Sequence, residues 1–254
     1  MSSPVQTASP RFCIVIPVFQ HVEPVAAVLS SLDNSGLPCV LVDDGNPIPI
    51  SEALRVTLST RPWTQVIRLP RNTGKGAASI AGFVWAAERG YSHTILLDAD
   101  GQHDVLDLPK VLNLARANPN ALLLGRPLFD KNAPWGRRWG RLLTCVWTWI
   151  ETLSFDIGDS LFGFRCYPLA PVLKLTEKVS FGQRMSFDPE IAVRLYWAGV
   201  PVVNFVTNVR YPVKGISNFR LWQDNGALTL MHTRLFFGML RRWWAGEILF
   251  GGHR

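Results

Sequence analysis

The stretch HTILLDADGQHD, residues 93–104, decides the fold class, because an apolar run leads directly into closely spaced acids. The apolar run predicts a buried strand over 93–100, with Asp98 and Asp100 where it ends. In open parallel sheets, ligands bind at the carboxyl ends of the strands. This stretch therefore predicts a parallel α/β sheet with polar side chains at one edge.

The first two-thirds of the chain repeats this alternation of strand and helix patterns. Strands are predicted at 12–19, 38–45, 64–70, 93–100 and 121–127, and helices at 22–33, 51–59, 74–90 and 105–118. Such alternation predicts a Rossmann-like, mostly parallel central sheet flanked by helices. Polar clusters end three of the strands, at 17–21, 43–45 and 98–103.

Composition and charge narrow the class of protein. The chain has 254 residues, of which 48% are hydrophobic and 18% charged, and its net charge is +7. These values are typical of a globular protein with a polyanionic partner, such as nucleic acid, an anionic membrane surface or a phosphorylated substrate. Charge alone does not choose among these three.

Cysteine spacing and hydropathy indicate the compartment. The four cysteines are far apart in sequence, which predicts reduced, buried thiols in a cytoplasmic protein. No apolar window reaches the roughly 18 residues that a membrane span requires. We expect a flexible tail at 1–10, one main domain at 11–218 and a basic, aromatic helical extension at 219–254.

The acids after the fourth strand favour a divalent cation. Asp98, Asp100 and Gln102 alternate, so an extended backbone would direct all three side chains to one side. Carboxylate and amide oxygens suit Mg²⁺ or Mn²⁺ held together with substrate phosphates. The alternative is an acidic turn that caps the following helix.

Two further motifs follow neighbouring strands. Asp43-Asp44-Gly45 indicates either an acidic turn or carboxylates that accept hydrogen bonds from a ribose or base. RNTGKGAA, residues 71–78, places glycines and Lys75 at the start of a helix, a setting that suits an anion. Its spacing fits neither a dinucleotide fingerprint nor a P-loop.

Together these motifs carry a family resemblance. The order VIPVF, VDDG, RNTGKGAA, LLDADGQH and DSLFGFRCY resembles glycosyltransferase family 2, which has the GT-A fold. The resemblance spans about residues 11–215 and is nearest to the dolichyl- and polyprenyl-phosphate sugar synthases. It implies an inverting transferase that uses a nucleotide-diphosphate sugar and a divalent metal.

The resemblance also implies roles for individual residues on the donor side. The metal residues would be Asp98, Asp100 and Gln102, holding Mg²⁺ or Mn²⁺. The residues that would contact the nucleotide sugar are Pro17, Asp43, Asp44, Asn72, Gly74, Lys75 and Asp98.

On the acceptor side, the resemblance implies contacts from Arg165, Arg210 and Ser217. The late R-x-x-G-x-S pattern matches imperfectly around Gly215, so Lys214 could replace Arg210. SFDPEIAVRL, residues 186–195, predicts a helix with Asp188 as N-cap and Pro189 at its first position. Glu190 is favoured slightly over Asp188 as a catalytic base, although a phosphate acceptor would need no base.

Two segments rich in Trp and Arg, 135–153 and 219–250, predict amphipathic helices. They either pack on the sheet or lie in a membrane interface. If these helices lie in a membrane interface, the family resemblance implies a lipid or lipid-phosphate acceptor and peripheral attachment to the cytoplasmic membrane face.

Two other classes compete with the transferase. A sugar-phosphate nucleotidyltransferase expects a Gly-rich loop after the first strand, but PVFQHVEP has no glycine. A non-catalytic membrane or nucleic-acid adaptor would use the basic surface. The acidic clusters disfavour it, because carboxylates repel phosphate backbones, and we expect no nucleic-acid partner.

Overall fold

A computed structural model describes residues 9–128, 135–209 and 221–247. Within these ranges the strands are β1 Phe12–Val18, β2 Cys39–Asp43, β3 Thr64–Arg68, β4 His93–Leu96, β5 Leu122–Leu128, β6 Arg165–Pro168 and β7 Val202–Asn208. The helices are α1 Val22–Leu32, α2 Ile48–Leu58, α3 Lys75–Glu88, α4 Leu108–Ala117, α5 Trp135–Thr152, α6 Leu169–Thr176, α7 Phe187–Trp197 and α8 Leu221–Trp244. A short 3₁₀ turn at Val105–Asp107 precedes α4.

The strands form one seven-stranded sheet in the order β3-β2-β1-β4-β6-β5-β7. All pairings are parallel except those of β6, which runs antiparallel to both β4 and β5. This confirms the mostly parallel sheet. The carboxyl ends of β1, β2 and β4 consequently meet at one edge, as the polar clusters require.

Alternating side chains of the strands feed a hydrophobic cluster on each face of the sheet. In β1, Cys13 and Val15 join one cluster, which α3, α6, α7 and α8 cover, and Ile14 and Ile16 join the other, which α1, α2 and α4 cover. All four cysteines are free and buried, which confirms the prediction of reduced thiols.

The end of β4 differs from the sequence prediction. The strand stops at Leu96, and residues 99–101 turn, with Gly101 at a φ of 74°. A positive φ of this kind suits glycine because other residues would be strained there. The expectation of an extended backbone through Asp98, Asp100 and Gln102 is therefore wrong, because Asp100 lies in a tight turn that follows Asp98.

The start of α7 also differs. The helix begins at Phe187 after Ser186, so Asp188 lies inside the first turn and is not the N-cap. Its carboxylate contacts Lys75 across the sheet edge instead of the helix amides. The cap prediction was wrong because a partner distant in sequence binds the acid.

The two aromatic, basic segments form α5 and α8, which pack against each other and against α7. Met231, Leu235 and Met239 of α8 are buried in the cluster that covers the sheet. Among the described residues, no helix has the length and apolarity needed to cross a bilayer.

Candidate active site at the carboxyl ends of the strands

Lys75 joins two acids from distant parts of the chain. Its Nζ lies 2.7 Å from Asp98 Oδ1, after β4, and 2.7 Å from Asp188 Oδ2, in α7. Burial alone would lower the pKa of Lys75, but the two carboxylates outweigh burial and raise it. Lys75 is thus a fixed positive charge at the edge where ligands bind in this class of sheet.

Asp98 stays ionised in this setting. Burial alone would raise the pKa of its carboxyl, but the positive charge of Lys75 outweighs burial, with a smaller contribution from Arg165, and the pKa falls to about 2. The side chain keeps 26% of its surface exposed, so the charge remains accessible to solvent.

Asp100 is the second acid of this turn, and its charge is poorly compensated. Its Oδ1 accepts a hydrogen bond from the backbone N–H of Gln102 at 3.0 Å. Burial, and then the negative charge of Asp98, raise the pKa of Asp100. A cation between the two carboxylates would relieve this repulsion.

These residues fit a divalent metal that shares its ligands with a substrate. The described part of the chain holds no cluster of three or more His, Cys, Asp or Glu side chains arranged for a metal. Mg²⁺ is usually held by one or two carboxylates together with substrate phosphates, and Asp98 and Asp100 suit that arrangement. The Gln102 side chain as a third ligand stays a prediction.

The acids at the end of β2 are already bonded to the protein. Asp43 accepts hydrogen bonds from the backbone and side-chain nitrogens of Asn46, at 2.9 and 2.8 Å, and from the hydroxyl of Ser51. Asp44 accepts from the backbone N–H groups of Thr73 and Gly74, both at 2.8 Å. Both acids are buried. This geometry supports a clamp on the loop, and direct nucleotide contact by either acid stays a prediction.

The loop that contains RNTGKGAA is held from two sides. Asp44 binds the amides of Thr73 and Gly74, and the amide of Gly76 donates to the carbonyl of Gln183 at 2.8 Å. These three amides are therefore not available for an anion. What the loop presents to the cleft is the Lys75 side chain.

The other predicted donor-side residues lie near this loop. Pro17 is half-buried in β1 and pairs with Val42 of β2, and Asn72 is exposed. Gly45 has a φ of 66°, and a Cβ there would collide with the backbone of residues 71–72. The end of β2 and the loop thus touch through their backbones, next to Asn72.

Arg165 lies too deep to offer its charge to an acceptor in this geometry. Its side chain is fully buried, and its guanidinium donates to the carbonyls of Phe162 at 2.7 Å and of Ser160 and Asp188 at 2.6 Å. The arrangement supports a positioning role, in which Arg165 fixes the first turn of α7. The direct acceptor contact predicted for it has no support in these contacts.

The two candidate bases occupy different surroundings. Glu190 accepts from the amide of Gly182 at 2.8 Å and from Arg194 Nε at 2.9 Å. Asp188 contacts Lys75, and its Oδ1 is buried without a hydrogen-bond partner among the described residues. Asp188, and not the slightly favoured Glu190, therefore belongs to the charged cluster. Arg210, Lys214, Gly215 and Ser217 lie outside the described residues.

Sequence reasoning missed two residues that surround Asp98. His103 contacts both the backbone and the carboxylate of Asp98. A Cβ at Gly163 would overlap the Asp98 carboxylate, so only glycine fits there. Gly163 lies in the motif DSLFGFRCY, but nothing in the sequence pattern connects it to Asp98.

The chain is similar in sequence to known glycosyltransferases. The sequence matches the family model "Glycosyl transferase family 2" over residues 13–175. It is 26% identical over 170 residues to an undecaprenyl-phosphate mannosyltransferase of Micrococcus luteus, covering 62% of this chain and 66% of the relative. It is 28% identical over 163 residues to a polyprenol monophosphomannose synthase of Mycolicibacterium smegmatis, covering 62% and 61%. The chain thus spans about two thirds or less of the length of these relatives.

A solved structure shows the same fold. A mannosyltransferase from Pyrobaculum calidifontis, in complex with GDP-Man and Mn²⁺, superposes with a TM-score of 0.60 at 15% identity. The match covers 93% of this chain and 65% of the other. This confirms the GT-A fold and, with the family match over residues 13–175, leads to one conclusion: the chain belongs to glycosyl transferase family 2.

Proposed function

We propose that this protein is an inverting, metal-dependent glycosyltransferase that moves a sugar from a nucleotide-diphosphate sugar to a lipid phosphate. The observation that carries the proposal is the charged cluster in which Lys75 lies 2.7 Å from both Asp98 and Asp188, beside Asp100. The family match and the names of the relatives, which are enzymes of polyprenyl phosphates, support the reaction class.

The residues divide the work of binding the donor. Asp98 and Asp100 would hold Mg²⁺ or Mn²⁺, which supplies positive charge that stabilises the departing diphosphate. Lys75 gives the entering phosphates a further cation, because its ammonium is held beside Asp98. Asp44 keeps Lys75 in place through the amides of Thr73 and Gly74.

A phosphate acceptor agrees best with the state of the acids. Glu190 is bonded to Gly182 and Arg194, and Asp188 is paired with Lys75, so neither is placed as an uncommitted base. A hydroxyl acceptor needs a base to take its proton, whereas a phosphate is already ionised at neutral pH. The phosphate oxygen would attack the anomeric carbon from the face opposite the diphosphate and invert its configuration.

The surface formed by α5 and α8 supports membrane attachment. On α8, Leu230, Phe237 and Trp244 recur every seven residues, with exposures of 52%, 64% and 83%. Arg234 and Arg241, each four residues after Leu230 and Phe237, lie exposed on the same side. Exposed apolar side chains interleaved with arginine are typical of helices in a membrane interface.

The neighbouring face of α5 continues this surface. Its exposed apolar residues include Trp139, Leu142, Leu143, Val146, Trp147 and Ile150. The sole acids of the two helices, Glu151 and Asp224, are buried. Within the described residues of α5 and α8, the exposed side chains therefore include apolar and basic groups and no acids, which is complementary to anionic lipid. We propose that it docks on the cytoplasmic face of a membrane and brings the lipid phosphate to the cleft.

Sedimentation with liposomes tests the docking surface. Wild-type protein should sediment with phosphatidylcholine vesicles that contain phosphatidylglycerol, and Leu143→Glu or Phe237→Glu should weaken this. Val56→Glu is the matched control, because Val56 is 72% exposed on α2, on the other side of the sheet. If both variants sediment like wild type, this surface does not dock on membranes. If wild-type protein is a dimer and the two substitutions dissociate it, the surface instead binds a second copy of the chain.

A thermal-shift panel tests the donor. UDP-, GDP- and TDP-sugars, each with and without Mn²⁺, should show one nucleotide class that raises the Tm only with metal. NMR of the product should then show an inverted anomeric configuration. No shift with any donor would reject the transferase and favour a non-catalytic role.

A further inference from the structure

His103 contacts Asp98 at two points. Its Nδ1 accepts a hydrogen bond from the backbone N–H of Asp98 at 3.2 Å, and its Nε2 lies 3.4 Å from Asp98 Oδ2. Lys75 lies on the opposite oxygen, Oδ1. The carboxylate of Asp98 is thus held by a different side chain at each oxygen.

The first contact fixes the protonation pattern of the imidazole. A backbone N–H can only donate, so Nδ1 must carry a lone pair. The proton of the neutral ring is then on Nε2, the nitrogen that faces Oδ2.

The ring itself cannot turn away. Its centroid lies 4.8 Å from that of Phe162 and 5.6 Å from that of Phe164, and the residue is buried. The backbone of His103 forms an antiparallel bridge with Val209. Two aromatic rings and a backbone pairing therefore fix the imidazole before any ligand arrives.

The space around Asp98 leaves its carboxylate little freedom. On the Oδ2 side, Gly163 approaches so closely that no side chain fits between them. We propose that His103 is a positioning residue, which uses its Nε2–H to hold the Asp98 carboxylate in the orientation that receives the metal and the donor diphosphate. This inference rests on the proposed function, because it assigns Asp98 to that ligand.

The test measures Mn²⁺ binding directly, apart from turnover. Titration of MnCl₂ in the presence of GDP, and separately of UDP, followed by the EPR signal of free Mn²⁺, gives the Kd for each variant. His103→Phe keeps a ring between Phe162 and Phe164 but removes both polar contacts, so we expect binding about 10- to 100-fold weaker.

Two substitutions separate positioning from simple loss of stability. Gln can reach Oδ2 with a donor, whereas Asn can only accept from the Asp98 amide, so His103→Gln should bind Mn²⁺ more tightly than His103→Asn. The control is His93→Phe. His93 is also buried, at the other end of β4, and contacts Ser92 and Pro119. We expect this control to lower the Tm without changing the Kd.

The outcomes distinguish the two proposals. A wild-type Kd in His103→Phe, or an equal loss in His93→Phe, would overturn the role of His103 and leave the transferase intact. If His103→Phe does not fold, equal affinities of the Gln and Asn variants would overturn it instead. Wild-type protein that binds no Mn²⁺ with either nucleotide would overturn both proposals.

Discussion

The acidic ends of β2 and β4 look alike in sequence but have different surroundings in the fold. Asp43 and Asp44 are 2% and 3% exposed, and protein donors fill their oxygens. Asp98 keeps 26% of its side chain exposed, and Asp100 is half-buried with a raised pKa. Acids at a strand end therefore do not by themselves identify a ligand site.

The role of an acid at a strand end depends on whether hydrogen-bond donors of the protein already occupy its oxygens. At β2, backbone amides and hydroxyls of the protein satisfy the acids, and the result is a rigid loop. At β4, burial and the negative charge of Asp98 raise the pKa of Asp100, and a bound cation would relieve the repulsion between the two acids. The end of β2 thus holds structure, and we propose that the end of β4 receives a ligand.

The largest expected effect is on catalysis at β4. Asp100→Asn should reduce turnover about 100- to 1000-fold, because removing a metal contact removes several kcal/mol of transition-state stabilisation. Its Tm should stay the same or rise, because the repulsion with Asp98 is lost. Steady-state assays with circular dichroism melting check both. Full activity in Asp100→Asn would show that Asp100 is not needed for catalysis.

The corresponding change at β2 should act on stability. Asp44→Asn weakens the charged hydrogen bonds to Thr73 and Gly74, and the free energy of unfolding should fall by about 2 kcal/mol. Urea denaturation measures this. If Asp44→Asn keeps wild-type stability but binds nucleotide more weakly, Asp44 contacts the nucleotide directly and does not act by holding the loop.

Removal of Lys75 should make the protein depend more on metal. Lys75→Met leaves Asp98 and Asp188 without their shared cation, so Mn²⁺ should raise the Tm more than it does in wild type. Lys110→Met is the control, because Lys110 lies in α4 beside Asp107. An equal Mn²⁺ response in both variants would mean that the metal does not bind near Lys75.

The smallest expected effect concerns pH and the start of β4. Burial lowers the pKa of His93 in the fold below its ordinary 6.5, so the unfolded chain binds more protons as the pH falls below about 6.5. Stability should therefore decline as the pH falls through this window. In His93→Phe, the free energy of unfolding should change less with pH over this window. An identical pH dependence in the two proteins would show that His93 does not contribute to it.

Much of the fold could be predicted from the sequence. Continuous apolar runs and helical spacing place the strands and α-helices up to β5 within about three residues, except for the end of β4, which was predicted four residues too late. β6, which runs antiparallel to β4 and β5, was not predicted, because its four residues lie at the end of the motif DSLFGFRCY. β7, although alternating, has a weak burial pattern and was also missed.

Less of the candidate site could be predicted, because its contacts join distant residues. Lys75 and Asp188 are 113 positions apart, and no local pattern connects them. His103 had no role in the sequence reading, since its partner is a backbone amide five residues earlier and its walls are Phe162 and Phe164. The family resemblance suggested all four acids. Tertiary packing distinguishes Asp43 and Asp44, which are bonded to the protein, from the more exposed Asp98 and Asp100.

The most direct test of the central claim is transfer of a radiolabelled sugar from its nucleotide to polyprenyl phosphate in the organic phase. We predict that wild-type protein transfers label only with Mg²⁺ or Mn²⁺, that Asp100→Asn transfers almost none, and that folded Asp44→Asn retains part of the activity. Label transfer by Asp100→Asn at the wild-type rate, or in the presence of EDTA, would contradict the account.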